Sequence, residues 1–87
     1  MGILYILRSK KSGKYYIGST NDLDRRIAEH NSGKTKSLRN LRPLEIVFKL
    51  EYPSLLMARR KERALKQLKS RSALEVIVKT QKLILGL

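Results

Sequence analysis

Five side chains in this sequence are of types that act on charged substrates: the phenols Tyr5 and Tyr16, the guanidinium of Arg26, the imidazole of His30 and the carboxylate of Glu62. Tyr16 belongs to Tyr15-Tyr16-Ile17-Gly18-Ser19-Thr20, which reads as a strand passing directly into the capped helix that carries Arg26. Arg26 and His30 are four residues apart, so a helix places them on one face. His30, the sole histidine, reads as a helix-surface residue or, beside Arg26, as a phosphate contact or proton carrier. Glu62 is the one acid among Arg59, Arg60, Lys61, Arg63 and Lys66. It reads either as a salt-bridged surface glutamate or as a ligand for a hard divalent cation, since Mg²⁺ is commonly held by one or two carboxylates with water and substrate phosphate.

The elements that must position these groups follow from patterning. Ile3 to Ser9 is a continuous apolar run of strand length, Lys10 to Gly13 a turn, and Tyr15 to Ser19 the antiparallel return. An even-length connection sets odd positions of the first strand opposite even positions of the second. Tyr5 and Tyr16 then share a face, as a cross-strand aromatic pair or a catalytic pair, and Tyr15 points away. A helix is expected over 22–32, capped by Thr20 or Asn21, with Leu23 and Ile27 as its buried stripe, Arg26 and His30 bordering it, and Asn31-Ser32-Gly33 as its stop. Residues 34–42 read as an exposed loop bearing Lys34, Lys36, Arg39 and Arg42. From Leu44 to Tyr52, alternation of Leu44, Ile46, Phe48, Leu50 and Tyr52 with polar neighbours gives a third strand buried mainly on one face. Ser54 caps a helix over Leu55–Leu68 with Met57, Ala58, Ala64, Leu65 and Leu68 inward and Glu62 on their border. A last helix is expected over Ala73–Leu85, opened by the capping-box pair Ser72 and Glu75 and closed by Gly86.

Composition narrows the class of partner. Eighty-seven residues make one domain, without a repeat or linker, and without cysteine there is neither a disulfide framework nor a thiolate metal site. Twenty Lys and Arg against seven Asp and Glu leave a formal charge of +13, spread along a chain that is 41% hydrophobic. This describes a folded basic domain with a polyanionic partner. Nucleic acid ranks above an acidic membrane, because no segment has the aromatic, basic, amphipathic face of an interfacial helix. With no signal segment or membrane span read from the sequence, the expected location is the cytoplasm. Gly33-Lys34-Thr35 is not a phosphate loop, since Ala28 stands where that loop needs its first glycine. The cations of 34–42 read as tracking a nucleic-acid backbone or as a solvated loop.

The order of these residues resembles the GIY-YIG endonucleases, in particular their small single-domain members. The two name motifs look like Ile3-Leu4-Tyr5, with Leu where Ile is usual and Gly2 one position early, and Tyr16-Ile17-Gly18. Ser19-Thr20-Asn21-Asp22-Leu23, the arginine pair ending in Arg26, His30 and the Ala58-to-Glu62 spacing follow in order, so the resemblance covers residues 2–68. It implies an α+β fold, a three-stranded antiparallel sheet flanked by helices. It also implies hydrolysis of DNA phosphodiesters with one divalent metal, Mg²⁺ or Mn²⁺. In that reading Tyr5 or Tyr16 is the general base, Tyr16 being favoured with Tyr5 positioning water or phosphate. A free phenol has a pKa of about 10 and needs nearby cations. Arg26 supplies one and clamps a phosphate oxygen, His30 assists, Glu62 holds the metal, and Gly18 admits a phosphate backbone. No asparagine follows Asn40, so the one that many members carry beyond the metal-binding glutamate is absent. The implied substrate is branched or damaged DNA in repair or recombination, bound through the domain's own basic surface, a homodimer or a protein partner. The alternatives are a nucleic-acid-binding module of the same fold without catalysis and, further off, a ribosome-associated or RNA-binding protein.

Overall fold

The computed structural model describes residues 1–34 and 36–83, with the side chains of Lys36 and Ser37 outside that description. Strand β1 (Gly2–Ser9) is central in an antiparallel sheet of order β2-β1-β3, which accounts for its unbroken apolar sequence. Leu4 and Ile6 face one side, Tyr5 and Leu7 the other, and all four are at most 1% exposed. The turn after β1 uses Gly13 at φ 78°, a left-handed value suited to glycine. Strand β2 (Tyr15–Thr20) then pairs Tyr5 with Gly18 and Leu7 with Tyr16. This is the odd-to-even register expected: Tyr16 packs beside Tyr5, and Tyr15 packs against the opposite cluster.

Strand β3 (Leu44–Tyr52) pairs with the other edge of β1 but corrects the expectation of one buried face. Ile6 pairs with Phe48 and Leu7 with Ile46, so Val47 is an inserted residue and the side-chain alternation switches sides there. Leu44 joins the Tyr5 side, Phe48 joins the Leu4 side, and Ile46 and Leu50 stay 40% and 39% exposed.

The helices form a layer on each face. Helix α1 (Leu23–Asn31) and a 3₁₀ helix (Lys36–Leu41) cover Tyr5, Leu7 and Leu44 through Leu23 and Leu38. Helices α2 (Leu55–Leu68) and α3 (Arg71–Thr80) cover Leu4, Ile6, Ile17 and Phe48 through Leu65 and Ile77. The 34–42 stretch is therefore more than an exposed loop: Leu38, 3% exposed, anchors it, with half-buried Leu41 three residues on along the same side of the 3₁₀ turn.

Capping refines the helix starts. Asp22, not Thr20 or Asn21, caps α1 by accepting from the Arg25 amide at 3.2 Å, while Thr20 accepts from the Asp22 amide at 3.1 Å. Ser54 caps α2 by accepting from the Met57 amide. Helix α3 begins two residues before the expected Ala73, because Ser70 and not Ser72 is its cap, and Glu75 pairs with Arg71 at 3.0 Å instead of closing a capping box. It ends at Gln81 in the left-handed region, before the expected Leu85; Gly86 lies outside the described residues. The buried stripe of α2 is narrower than expected, with Ala58 and Leu65 buried but Met57 and Leu68 41% and 39% exposed. Its first turn lies so close to β1 that a Cβ on Gly2 would come within 2.5 Å of the Leu55 Cα. Among the described residues, no helix is long and apolar enough to cross a membrane.

Candidate active site

On the α1 side of the sheet, Tyr5, Tyr16 and His30 form one aromatic group. Tyr16 meets His30 edge-on at 5.4 Å between ring centroids and lies 6.5 Å from Tyr5. The Tyr5 hydroxyl is 3.2 Å from His30 Nε2. Tyr5 can lie across β2 because its partner there is Gly18: a Cβ at that position would stand 2.5 Å from the Tyr5 Cζ. The space that Gly18 leaves is thus filled by the phenol, where the sequence suggested an approaching phosphate backbone.

His30 corrects its expected place on the border of α1. It is fully buried, whereas Ile27 is only half-buried, because Tyr5 reaches under the helix at that position. Burial lowers the imidazole pKa from its usual 6.5 and the nearby Arg26 charge lowers it further, against a smaller pull from Glu29. Burial likewise raises the Tyr5 pKa, with hydrogen bonding to Arg26 opposing it. The phenol and the imidazole share this bond, with the donor set by which ring nitrogen carries the imidazole proton. Arg26 is held in its charged form by the Tyr5 hydroxyl, against a smaller cost of burial.

Glu62 reaches the same group from α2. Its Oε1 accepts from the hydroxyl of Ser19 on β2, and its Oε2 lies 2.6 Å from the Lys66 ammonium one turn on. That ammonium is also 5.9 Å from the centroid of the Tyr16 ring. Of the two sequence readings of Glu62, the salt-bridged one is what the structure shows, on a side chain that is half-buried. Among the described residues no group of three or more His, Cys, Asp or Glu could hold a metal. The donor set of one carboxylate with the Ser19 hydroxyl suits a hard cation that keeps its water, and does not suit an ion needing a full protein cage.

A polar cleft of about 530 Å³ adjoins this group, lined by Ser19, Asn21, Glu29 and the guanidinium-bearing Arg25, Arg26 and Arg59. Tyr5, Tyr16, Arg26 and His30 are thus brought together, and Glu62 is linked to them through Lys66, whose ammonium faces the Tyr16 ring. The basic loop is not part of that cluster. Arg39 donates to the Gly33 carbonyl at 3.0 Å, and Arg42 to the Arg39 and Asn31 carbonyls at 2.9 and 3.5 Å, so both brace the end of α1 beside a separate depression. Lys34 is exposed, and the Lys36 side chain lies outside the described residues. Sequence reasoning assigned no role to Ser19, Arg25, Arg59 or Lys66. Lys66 was within reach of the four-residue spacing rule; the Ser19–Glu62 bond joins residues 43 apart and had no local signal.

Comparison with known proteins gives the same answer from an independent direction. The family description "GIY-YIG catalytic domain" matches residues 1–75. A UPF0213 protein of Yersinia pestis (strain Pestoides F) is 35% identical over 82 residues, covering 93% of this chain and 85% of that protein. A UPF0213 protein of Photorhabdus laumondii is 49% identical over a shorter span of 47 residues, 53% of this chain and 44% of that protein's length. The solution NMR structure of a UPF0213 protein from Bacillus halodurans superimposes with a TM-score of 0.58 at 40% identity, covering 93% of this chain and 86% of that one. Fold, motif order and relatives agree, and the chain belongs to the GIY-YIG family of nuclease-type domains.

Proposed function

We propose that the protein is a metal-dependent endonuclease that hydrolyses DNA phosphodiester bonds, acting on branched or damaged DNA in repair or recombination. One observation carries the reading: Tyr16 and Arg26 gather on the Tyr5–His30 pair beside a cleft with three guanidinium groups, with Glu62 joined to Tyr16 through Lys66. Half-exposed Tyr16 is the base that takes a proton from the attacking water, facing the cations Arg26 and Lys66. Buried Tyr5 keeps its proton and, through His30, fixes the floor on which Tyr16 and Arg26 rest. Arg26 clamps a non-bridging phosphate oxygen as the water oxygen bonds to phosphorus and the bond to the leaving oxygen breaks. Glu62 would hold a Mg²⁺ or Mn²⁺ ion, which would supply further charge neutralisation to the phosphate, and an ion on Oε2 would take the place of the Lys66 ammonium.

The 2.6 Å approach of Lys66 to Glu62 also favours a second reading, a binding module of this fold in which a lysine ammonium has replaced the metal. One experiment separates the two. Labelled duplex, nicked, flap and four-way DNA are incubated with Mg²⁺ or Mn²⁺ and with chelator. Metal-dependent cutting, faster on flap and four-way DNA than on intact duplex, is expected. Glu62→Ala should abolish it, Tyr16→Phe should slow it about 10²–10⁴-fold, and Arg26→Ala about 10²–10³-fold with a smaller loss of binding. No cutting of any substrate by protein that still binds the probes favours the binding module instead, and variants as active as the parent overturn the roles given to these residues.

A further inference from the structure

A second groove, of about 430 Å³, runs along the free edge of β2 where it faces the junction of α2 and α3. Its floor is apolar, formed by Ile17, Leu65 and Leu74, its wall carries the Tyr15 and Tyr16 rings, and its rim carries Lys14, Lys66, Lys69 and Arg71. No acidic side chain lines it. Arg71 is fixed as a flat plate: its guanidinium lies 4.8 Å from the Tyr15 centroid, donates to the Gly13 carbonyl at 3.0 Å and pairs with Glu75 at 3.0 Å. Lys14 and Lys69 are exposed and enter no ion pair among the described residues. Tyr16 belongs both to this groove and to the catalytic group, so whatever lies in the groove leads past the proposed base.

We infer that this groove is a subsite for an unpaired stretch of DNA strand adjoining the scissile phosphate, an inference that rests on the nuclease reading above. Three properties select that ligand. Aromatic and guanidinium planes over an apolar floor are surfaces on which bases stack without regard to sequence. A rim of four cations, of which Lys14 and Lys69 enter no ion pair among the described residues, follows a phosphate backbone. The groove has the volume of a small-ligand site, the scale of single nucleotides. Paired DNA rests on the arginine cleft, and the strand that leaves the duplex turns past Tyr16 into the groove.

The test uses Glu62→Gln protein, which binds without cutting, and two fluorescent probes: a short blunt duplex and the same duplex with a single-stranded arm. Anisotropy titrations should show the armed probe bound about tenfold tighter, the contribution of a single stacked base. Adding Lys14→Glu and Lys69→Glu should remove most of that preference. It should also lower the salt slope of the armed probe by about 0.7 for each phosphate that is no longer neutralised. Both positions are exposed, so thermal melting should stay near that of the parent. The charge-matched control Lys49→Glu with Lys79→Glu, also exposed, should weaken both probes by one common factor. Equal binding of the two probes by the parent, or the same common-factor loss in the groove variant, overturns the subsite. If native protein cuts nothing while the arm preference persists, the nuclease reading fails and the groove stands. Cutting that ignores the arm removes the groove alone.

Discussion

Gly18 and Tyr5 behave as one unit, because the phenol occupies the volume of the side chain that Gly18 lacks. Gly18→Ala forces a Cβ to within 2.5 Å of the Tyr5 Cζ, so the ring must move and its bond to His30 must break. Overpacking of this kind costs about 1–3 kcal/mol; a stability lowered by that amount in chemical denaturation, together with loss of cutting, is the expected outcome. His30 gives a pH signature. Its folded pKa lies below the ordinary 6.5, so the unfolded chain binds the proton more readily. The stability due to neutral His30 is complete above pH 6.5. It falls as pH drops from there toward the folded pKa, and levels off once both states are protonated. Melting temperature measured across this window should fall with pH for the parent, and His30→Phe should flatten that dependence above the range where carboxylates titrate. The pairing of Tyr5 with Tyr16 and of Arg26 with His30 was legible because strand register and helical spacing are local rules; Glu62 was placed with them by the family resemblance. The depth of His30 and the Ser19–Glu62 bond were not legible, because each depends on which element packs above the sheet.

Elements whose boundaries depend on local chemistry were readable to within a residue or two. Helix α2 starts and ends as its Ser54 cap and apolar spacing dictate, and β1 reads as central from its unbroken apolar run. The failures have two causes, partners distant in sequence and a choice between neighbouring caps. The bulge at Val47 exists only through pairing with β1, and nothing in the alternation of Leu44 to Tyr52 announces a switch of face. The start of α3 was read from Ser72, whereas Ser70 is the cap, and the ion pair of Arg71 with Glu75 goes with that earlier serine. The 3₁₀ helix was hidden under a basic composition, its one deep anchor being Leu38. This last correction can be measured. Leu38→Ala should cost about 2–5 kcal/mol in urea unfolding, as for a buried leucine, and not the change within about 0.5 kcal/mol typical of a surface loop.

At the scale of the molecule, 34 × 28 × 20 Å across with a formal charge of +13, the candidate site sits where the free edge of β2, α1 and α2 meet. The arginine cleft and the tyrosine-lined groove share no lining residue, so the grip on DNA can be altered at one without the other. Sheets with two open edges tend to recruit further strands, and such a protein concentrated along DNA is exposed to that risk. The free edge of β2 is guarded by the lysines of its groove. The free edge of β3 is guarded differently: the Gln81 side chain, at the end of α3, donates at 2.8 Å to the Val47 carbonyl at the bulge. That bond takes an acceptor that an incoming strand would need, and the bulge spoils the straight register around it. Gln81→Ala should therefore leave cutting intact but promote self-association at high concentration, seen by sedimentation as species larger than those of the parent. A glutamine beyond the family motifs thus occupies one acceptor on the sheet's second edge, and the state of association of its alanine variant measures what that occupation does.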